Sequence, residues 1–300
     1  HTYFNAFSVG RYRKDTTLNA FVVALRLSGS FRLRLLARPL AVRLAPVVLS
    51  ETTVHCENGK WVRLPCPFDE RNQDGIVYPE LTALSDDAIL YKGKYETAEP
   101  GNPVRIAVII CSYRHEDYIY RNTGALAQFT DKPENWDFHD GLSVFVVDNG
   151  QTLEPDKIAY DKATVFPNRN LGGSGGFTRG MIEAVRSEQA FTHVCLMDDD
   201  ICFDPETLYK TWALLGYLKK EYKEISIGGI MLELEYPWFQ YEAGGRWNGR
   251  TIENLKQGLD ARLLDTVMEN EDEKKPADYN AWWYMCMPIS FVKEQGYSMP

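Results

Sequence analysis

Three consecutive aspartates, Asp198-Asp199-Asp200, follow the apolar run His193–Met197. The run reads as a buried parallel strand. In open α/β sheets ligands bind beyond the carboxyl ends of the strands. Three adjacent carboxylates repel one another, so a cation among them is the simplest reason for placing them there. In an extended segment alternate side chains share a face, which pairs Asp198 with Asp200 as metal ligands and turns Asp199 away. Hard oxygen ligands with room for water and phosphate oxygens suit Mg2+ or Mn2+. Taken alone, the triplet would favour a plainer role, an acidic cap on the helix opening near Asp204-Pro205. The glycine-rich stretch from Asn168 to Gly180 (N-R-N-L-G-G-S-G-G-F-T-R-G) reverses that preference. Gly172, Gly173, Gly175 and Gly176 let backbone N–H groups approach an anion where a helix begins, and the helix dipole favours negative charge there. Arg179, one turn in, adds a positive charge.

The familiar phosphate motifs do not fit. No G-K-[ST] follows the glycines, and the G-x-G-x-x-G spacing of a dinucleotide fingerprint is not met. A phosphatase would want D-x-D-x-T, and position 202 is Cys. What remains is a nucleotide site assembled from four strand ends. The first supplies Ser112, Tyr113 and Arg114, the second Asp148, and the third Asn168 and Asn170. The fourth supplies Asp198 and Asp200 on a metal, with Asp199 on the nucleotide-sugar side.

These ends need elements to hold them. From Val104 the chain alternates strand and helix: strands over 104–111, 142–147, 163–166 and 193–197, helices over 117–129, 175–189 and 207–222. That grammar means a mostly parallel sheet covered by helices. Residues 1–101 read differently, as several short strands with turns at Asn58-Gly59, Asp74-Gly75 and Lys92-Gly93-Lys94. A small β-sandwich is expected there. Glu99-Pro100-Gly101-Asn102-Pro103 is the candidate linker, giving domains over 1–101 and 102–300. Ser226–Leu234 reads as a strand, Pro288–Gln295 as a short helix, and the charge run Glu269–Lys275 as a solvated loop.

Composition bounds the function. With 300 residues and a net charge of −9, the chain is no general nucleic-acid binder, which would need basic surface. The 17 Tyr and 7 Trp fit a sugar-binding protein as well as a large core. Six cysteines show neither a CxxC pair nor zinc spacing, and a reduced, cytoplasmic setting fits them. No apolar run approaches the roughly 20 residues of a membrane span. Arg26, Arg32, Arg34, Arg38 and Arg43 fall in a stretch without acids. They read as a solvated strand face, or as a surface for an anionic membrane or a pyrophosphate-linked acceptor.

Three motifs in order, N-L-G-G-S-G-G-F-T-R-G (170–180), M-D-D-D (197–200) and Y-N-A-W-W (279–283), resemble the inverting family 2 glycosyltransferases of GT-A fold. Within them they resemble bacterial galactofuranosyltransferases, as do T-Y-F-N-A-F (2–7) and the β-rich amino-terminal module. The resemblance implies a UDP-sugar donor, a glycan or lipid-linked acceptor, peripheral contact with the inner face of the membrane, and room for a homo-oligomer. It assigns Asp198 and Asp200 to the metal, Arg114, Asp148 and Asn170 to the donor nucleotide, and Trp282 and Trp283 to the acceptor side. Tyr241–Gly245 departs from the family, which has a His and a Glu there. The family's catalytic base is an Asp in a W-D-D-type segment after the aromatic cluster and a short helix. It is expected beyond Pro300, since neither Asp278 nor Glu294 matches it, and the second domain is expected to end short. Two other readings stay open: a family 2 enzyme using another donor, such as a rhamnosyl nucleotide, and a non-enzymatic carbohydrate-binding module.

Overall fold

The computed structural model describes residues 6–41, 45–272 and 277–297. Most of the T-Y-F-N-A-F motif, Arg43, part of the charge run after Glu269, and Pro300 lie outside the described residues. The chain forms two compact units. The first comprises His1–Glu99, Glu235–Tyr241 and Lys256–Pro276, and the second Pro100–Leu234, Glu242–Leu255 and Ala277–Pro300. The division is therefore not a single cut after residue 101.

The first unit contains β1 (Phe7–Ser8), α1 (Val9–Asp15), β2 (Ala20–Arg38), β3 (Val47–Pro67), β4 (Ile76–Ala83) and β5 (Ile89–Glu96). These five strands are hydrogen-bonded into one antiparallel sheet, ordered β1-β4-β2-β3 with β5 also on β2. They are not divided between the two sheets of the expected sandwich. The reason is strand length: β2 has 19 residues and β3 has 21. One edge of β2 is long enough to hold β5 along Val22–Ser28 and β4 along Phe31–Arg38. Alternation along β2 is regular. Phe21, Val23, Leu25, Leu27, Phe31, Leu33 and Leu35 are buried in one cluster, and Arg26 and Arg32 are exposed on the other face.

Two expected turns are not reversals. Asn58 and Gly59 both adopt positive φ, 54° and 68°, but inside β3. Opposite them the β2 register slips between Leu27 and Gly29. The flexible dipeptide is used for an irregularity in one long strand. Likewise Lys92-Gly93-Lys94 runs straight through β5, held by pairing with Ala24, Leu25 and Arg26.

The second unit is built on β6 (Ile106–Ser112), α2 (Glu116–Thr130), α3 (Trp136–Asp140), β7 (Leu142–Asp148), β8 (Ala163–Pro167), α4 (Gly172–Arg186), β9 (His193–Asp198), α5 (Pro205–Tyr217), β10 (Ile227–Gly228), β11 (Tyr284–Pro288) and α6 (Ile289–Gln295). The sheet order is β10-β11-β9-β6-β7-β8. The four strands β6 to β9 are parallel to one another, while β10 and β11 are antiparallel. Ile106, Val108 and Ile110 enter a core with α2 and α5 residues. Ala107 and Ile109 enter another with α4 residues. Both faces are covered, which is why these strands read as continuous apolar runs. The strand expected over Ser226–Leu234 shrinks to short pieces such as β10, since the Gly228-Gly229 pair interrupts it.

Register decides the next level. Ser112 lies beside Asp148, Cys111 beside Asp198, and Asp148 beside Pro167. The carboxyl ends of four parallel strands are thus level at one edge. Among the described residues the cysteines form no disulfide, and no helix is long and apolar enough to cross a membrane.

Candidate active site

The acidic triplet begins where β9 stops. Asp198 is the last paired residue, and Asp199 and Asp200 lie in the bend after it. Strand alternation therefore ceases to govern the second and third aspartates. Asp199 is buried, and its Oδ2 accepts the Tyr113 N–H at 3.3 Å and lies 3.0 Å from His115 Nδ1. Asp200 is exposed. Ligand atoms of His115, Asp199 and Asp200 lie within 4.8 Å of one another. The grouping is not the Asp198–Asp200 pair that alternation implies: Asp199 is its buried member, and His115 and Asp200 are exposed. Asp198 is half-buried. Its carboxyl is raised first by that burial, then by the charges of Asp200 and Asp199. The His115 imidazole is shifted up, chiefly by its contact with Asp199. Helix capping is carried by Asp204, whose side chain accepts the Glu206 N–H with Pro205 at the first turn. The triplet is free of that duty.

The glycine run is the first turns of α4 and not a loop before it. Its glycines divide into two kinds. A Cβ on Gly176 would stand 2.1 Å from Cys111 Sγ, and one on Gly180 2.2 Å from Ile109 Cγ2. These two let α4 lie directly on β6. Gly172, at φ 70°, and Gly173 would meet nothing within 4 Å. Their surroundings are open at the amino end of a 15-residue helix, where N–H groups lack helical partners. We expect Gly176→Ala to lose about 1–3 kcal/mol through overpacking. Chemical denaturation checks this, and an unchanged unfolding midpoint would show that α4 can shift off β6.

The loops after β7 and β8 are tied to this helix start. Asn149 is buried. Its Nδ2 donates to Gly172 O at 3.2 Å and to Cys111 Sγ at 3.3 Å, and its Oδ1 accepts from Asn168 Nδ2 at 2.8 Å. Asn170 Oδ1 accepts the Gly172 N–H at 2.9 Å. Asp148 is buried, with Oδ1 taking the Gly150 N–H at 3.0 Å and Oδ2 the Leu153 N–H at 2.9 Å. Both oxygens shape its own loop. Ser112 is buried, and its carbonyl accepts the Asn149 N–H. Tyr113 is exposed, and Arg114, at φ 61°, stacks its guanidinium 5.2 Å from the Tyr113 ring. Arg179 pairs with Glu183 at 2.7 Å along its own helix. Burial, with Asp199 and Asp198 nearby, pushes the Cys111 thiol up to about 11, so it stays protonated and is no nucleophile at neutral pH.

Trp282 and Trp283 do not share a surface. Trp282 meets Phe177 of α4 edge-on at 5.3 Å, whereas Trp283 packs into the core on the other side of the sheet. Adjacent residues leading into a strand point to opposite faces. His115 and Asn149 are the two site residues that motif reading missed. Their signal was position: each lies within three residues of a parallel strand's carboxyl end. Glu242, buried beside the Gly244-Gly245 turn, has its carboxyl raised by that burial.

Comparison with known proteins supplies a second line of observation. The family model described as glycosyl transferase family 2 matches residues 107–264. The galactofuranosyltransferase GlfT2 of Mycolicibacterium smegmatis is 23% identical over 321 aligned positions, covering 100% of this chain and 48% of that protein. GlfT2 of Mycobacterium tuberculosis is 24% identical over 323 positions, with the same coverage. The chain spans about half the length of these curated relatives.

Proposed function

Because the chain belongs to glycosyl transferase family 2, and is thus a glycosyltransferase, we propose that it moves galactofuranose from UDP to a hydroxyl of a glycan or lipid-linked glycan, with inversion. The observation that carries this reading is the level edge. It gathers the acidic triplet, the asparagine-tied loops and the open start of α4 at the carboxyl ends of β6, β7, β8 and β9. A diphosphate needs such a combination: a cation on one side and the amino end of a helix on the other.

A divalent cation fits the residues present. His115, Asp199 and Asp200 offer one imidazole nitrogen and carboxylate oxygens within 4.8 Å. Asp198 is pushed up in part by Asp199 and Asp200, a local excess of negative charge that a cation would relieve. This donor set suits Mn2+, which accepts imidazole as well as oxygen, and admits Mg2+. When bound, the ion would supply charge neutralisation to the departing diphosphate. The chain's own residues do the rest. Gly172 and Gly173 leave room for phosphate oxygens at the amino end of α4. Arg114 and Tyr113 are exposed on the loop after β6, placed for phosphate and base. Asn168 and Asn170 hold the opposite wall, and Asn149 fixes that wall to Gly172. The acceptor hydroxyl approaches from the face opposite UDP, as inversion requires.

A lipid-linked acceptor would bring the protein to the inner face of a membrane as a peripheral component. The exposed Arg26 and Arg32 on the outer face of β2 support that placement.

The deciding experiment measures, with Mn2+, release of the nucleoside diphosphate from each donor: UDP from UDP-galactofuranose and UDP-galactopyranose, and dTDP from dTDP-rhamnose. Preference for the first is expected. Faster turnover of dTDP-rhamnose would replace galactofuranose with a rhamnosyl donor on the same fold. As a check on the helix start, Gly173→Ala should weaken UDP binding without changing the melting temperature, since its Cβ meets no protein atom.

A further inference from the structure

A short hairpin, Gly245–Trp247 and Ile252–Asn254, belongs to the second unit. Its register pairs Trp247 with Ile252 and Gly245 with Asn254, so these side chains share one face. Arg246 and Glu253 point to the other. Gly245 also bridges to Tyr279. A Cβ on Gly245 would stand 2.6 Å from Ile252 Cγ2 and 3.4 Å from Tyr279 Cδ1. The missing side chain is what brings Ile252 and Tyr279 together on the Trp247 face.

That face is not core. Trp247 is 56% exposed, Ile252 49% and Tyr279 44%. Asp278 lies at its rim, with Oδ2 accepting the Trp247 N–H at 3.1 Å. An exposed apolar patch with a polar rim marks a binding surface. Its position follows from topology. Tyr284 pairs with Met197 across β11 and β9, which run antiparallel. Residues 279–283 therefore approach over the end of β9 where the acidic triplet lies.

We propose that Trp247, Ile252 and Tyr279 form the platform on which the acceptor's sugar chain lies, in place of the Trp282–Trp283 pair. The ligand class is a neutral saccharide. Sugars present apolar C–H faces that stack on aromatic rings and hydroxyls that bond to carboxylates at the rim. The Asp278 carboxylate disfavours an anionic ligand, and the Arg246 side chain points to the opposite face. This assignment rests on the glycosyltransferase reading for its substrate and on the hairpin's own geometry for its place.

The test uses an octyl glycoside of a β-linked galactofuranosyl disaccharide. Trp247→Ala and Tyr279→Ala should each raise the acceptor KM by about tenfold, the scale of one aromatic contact. Donor KM and UDP release without acceptor should not move, and Trp247→Phe should restore most of the loss. If Trp247→Ala unfolds, Ile252→Asn on the same face carries the test. Acceptor KM within twofold of the parent in correctly folded variants would overturn the proposal. If the parent turns over no nucleotide sugar at all, the donor assignment fails separately. The platform is then judged by saturation-transfer NMR with the same disaccharide. Signal lost in Trp247→Ala supports it. No signal in the parent, or an unchanged signal in the variant, refutes it.

Discussion

Asp200→Ala should abolish metal-dependent UDP binding, a loss of at least about a hundredfold, while the protein melts as before. Asp200 is exposed, so its removal leaves no hole. It also belongs both to the pair that alternation implies and to the cluster with His115 and Asp199. The two arrangements part company at the other aspartates. Asp199→Ala should be nearly as damaging, because the same carboxylate approaches His115 and holds the Tyr113 N–H. Asp198→Asn should be milder. His115→Ala should weaken Mn2+ binding by about tenfold, since imidazole is one donor of several. Titration calorimetry of UDP with and without Mn2+ separates these outcomes. If Asp198→Asn proves worse than Asp199→Ala, the alternation pair is restored and the His115 cluster is wrong.

Asp148→Ala should lower stability by about 3–6 kcal/mol, since hydrogen bonds to a charged group contribute about 1.5–3 kcal/mol each and two are removed. The Gly150 and Leu153 N–H groups would lose their acceptor within the loop after β7. The melting temperature should drop by on the order of 10 °C. UDP binding should fall as a consequence, because this loop carries Asn149 and, through it, Asn168 and Gly172. A direct nucleotide contact would give the reverse pattern: unchanged melting with lost affinity. Thermal scans beside binding measurements on the same preparation distinguish the two.

Much of the second unit was legible because its signals are local. Buried parallel strands are apolar on both faces, and Asp204-Pro205 marks a helix start whatever the surroundings. The four strand ends could be named as a site because parallel topology brings carboxyl ends to one edge. What could not be read was geometry set by distant partners. Alternation fails for Asp199 and Asp200 because β9 loses its pairing at Asp198, and no residue type announces where pairing stops. Gly176 and Gly180 look like Gly172 and Gly173 in the sequence. What sets the first pair apart is that Cys111 and Ile109 lie beneath it. In the first unit, Asn58-Gly59 has the chemistry of a hairpin turn. Only the pairing of β3 along β2 on both sides of it keeps the strand running on.

The position of β3 at the end of its sheet has a consequence for solubility. Among the described residues, this strand of 21 residues lies at the end of the hydrogen-bonded order, so one side of it is an edge. Such an edge is a template on which another chain can add a strand and begin a fibre. Its composition works against that. Pro65 and Pro67 have no N–H to offer an incoming strand. Glu51, Glu57, Lys60 and Arg63 are exposed charges that it would have to strip of water. The slips in register opposite Leu27–Gly29 and Leu35–Leu36 bend the line that a straight partner would need to follow. The irregularity at Asn58-Gly59 that hid this strand from sequence reading also makes its edge a poorer template for a second copy.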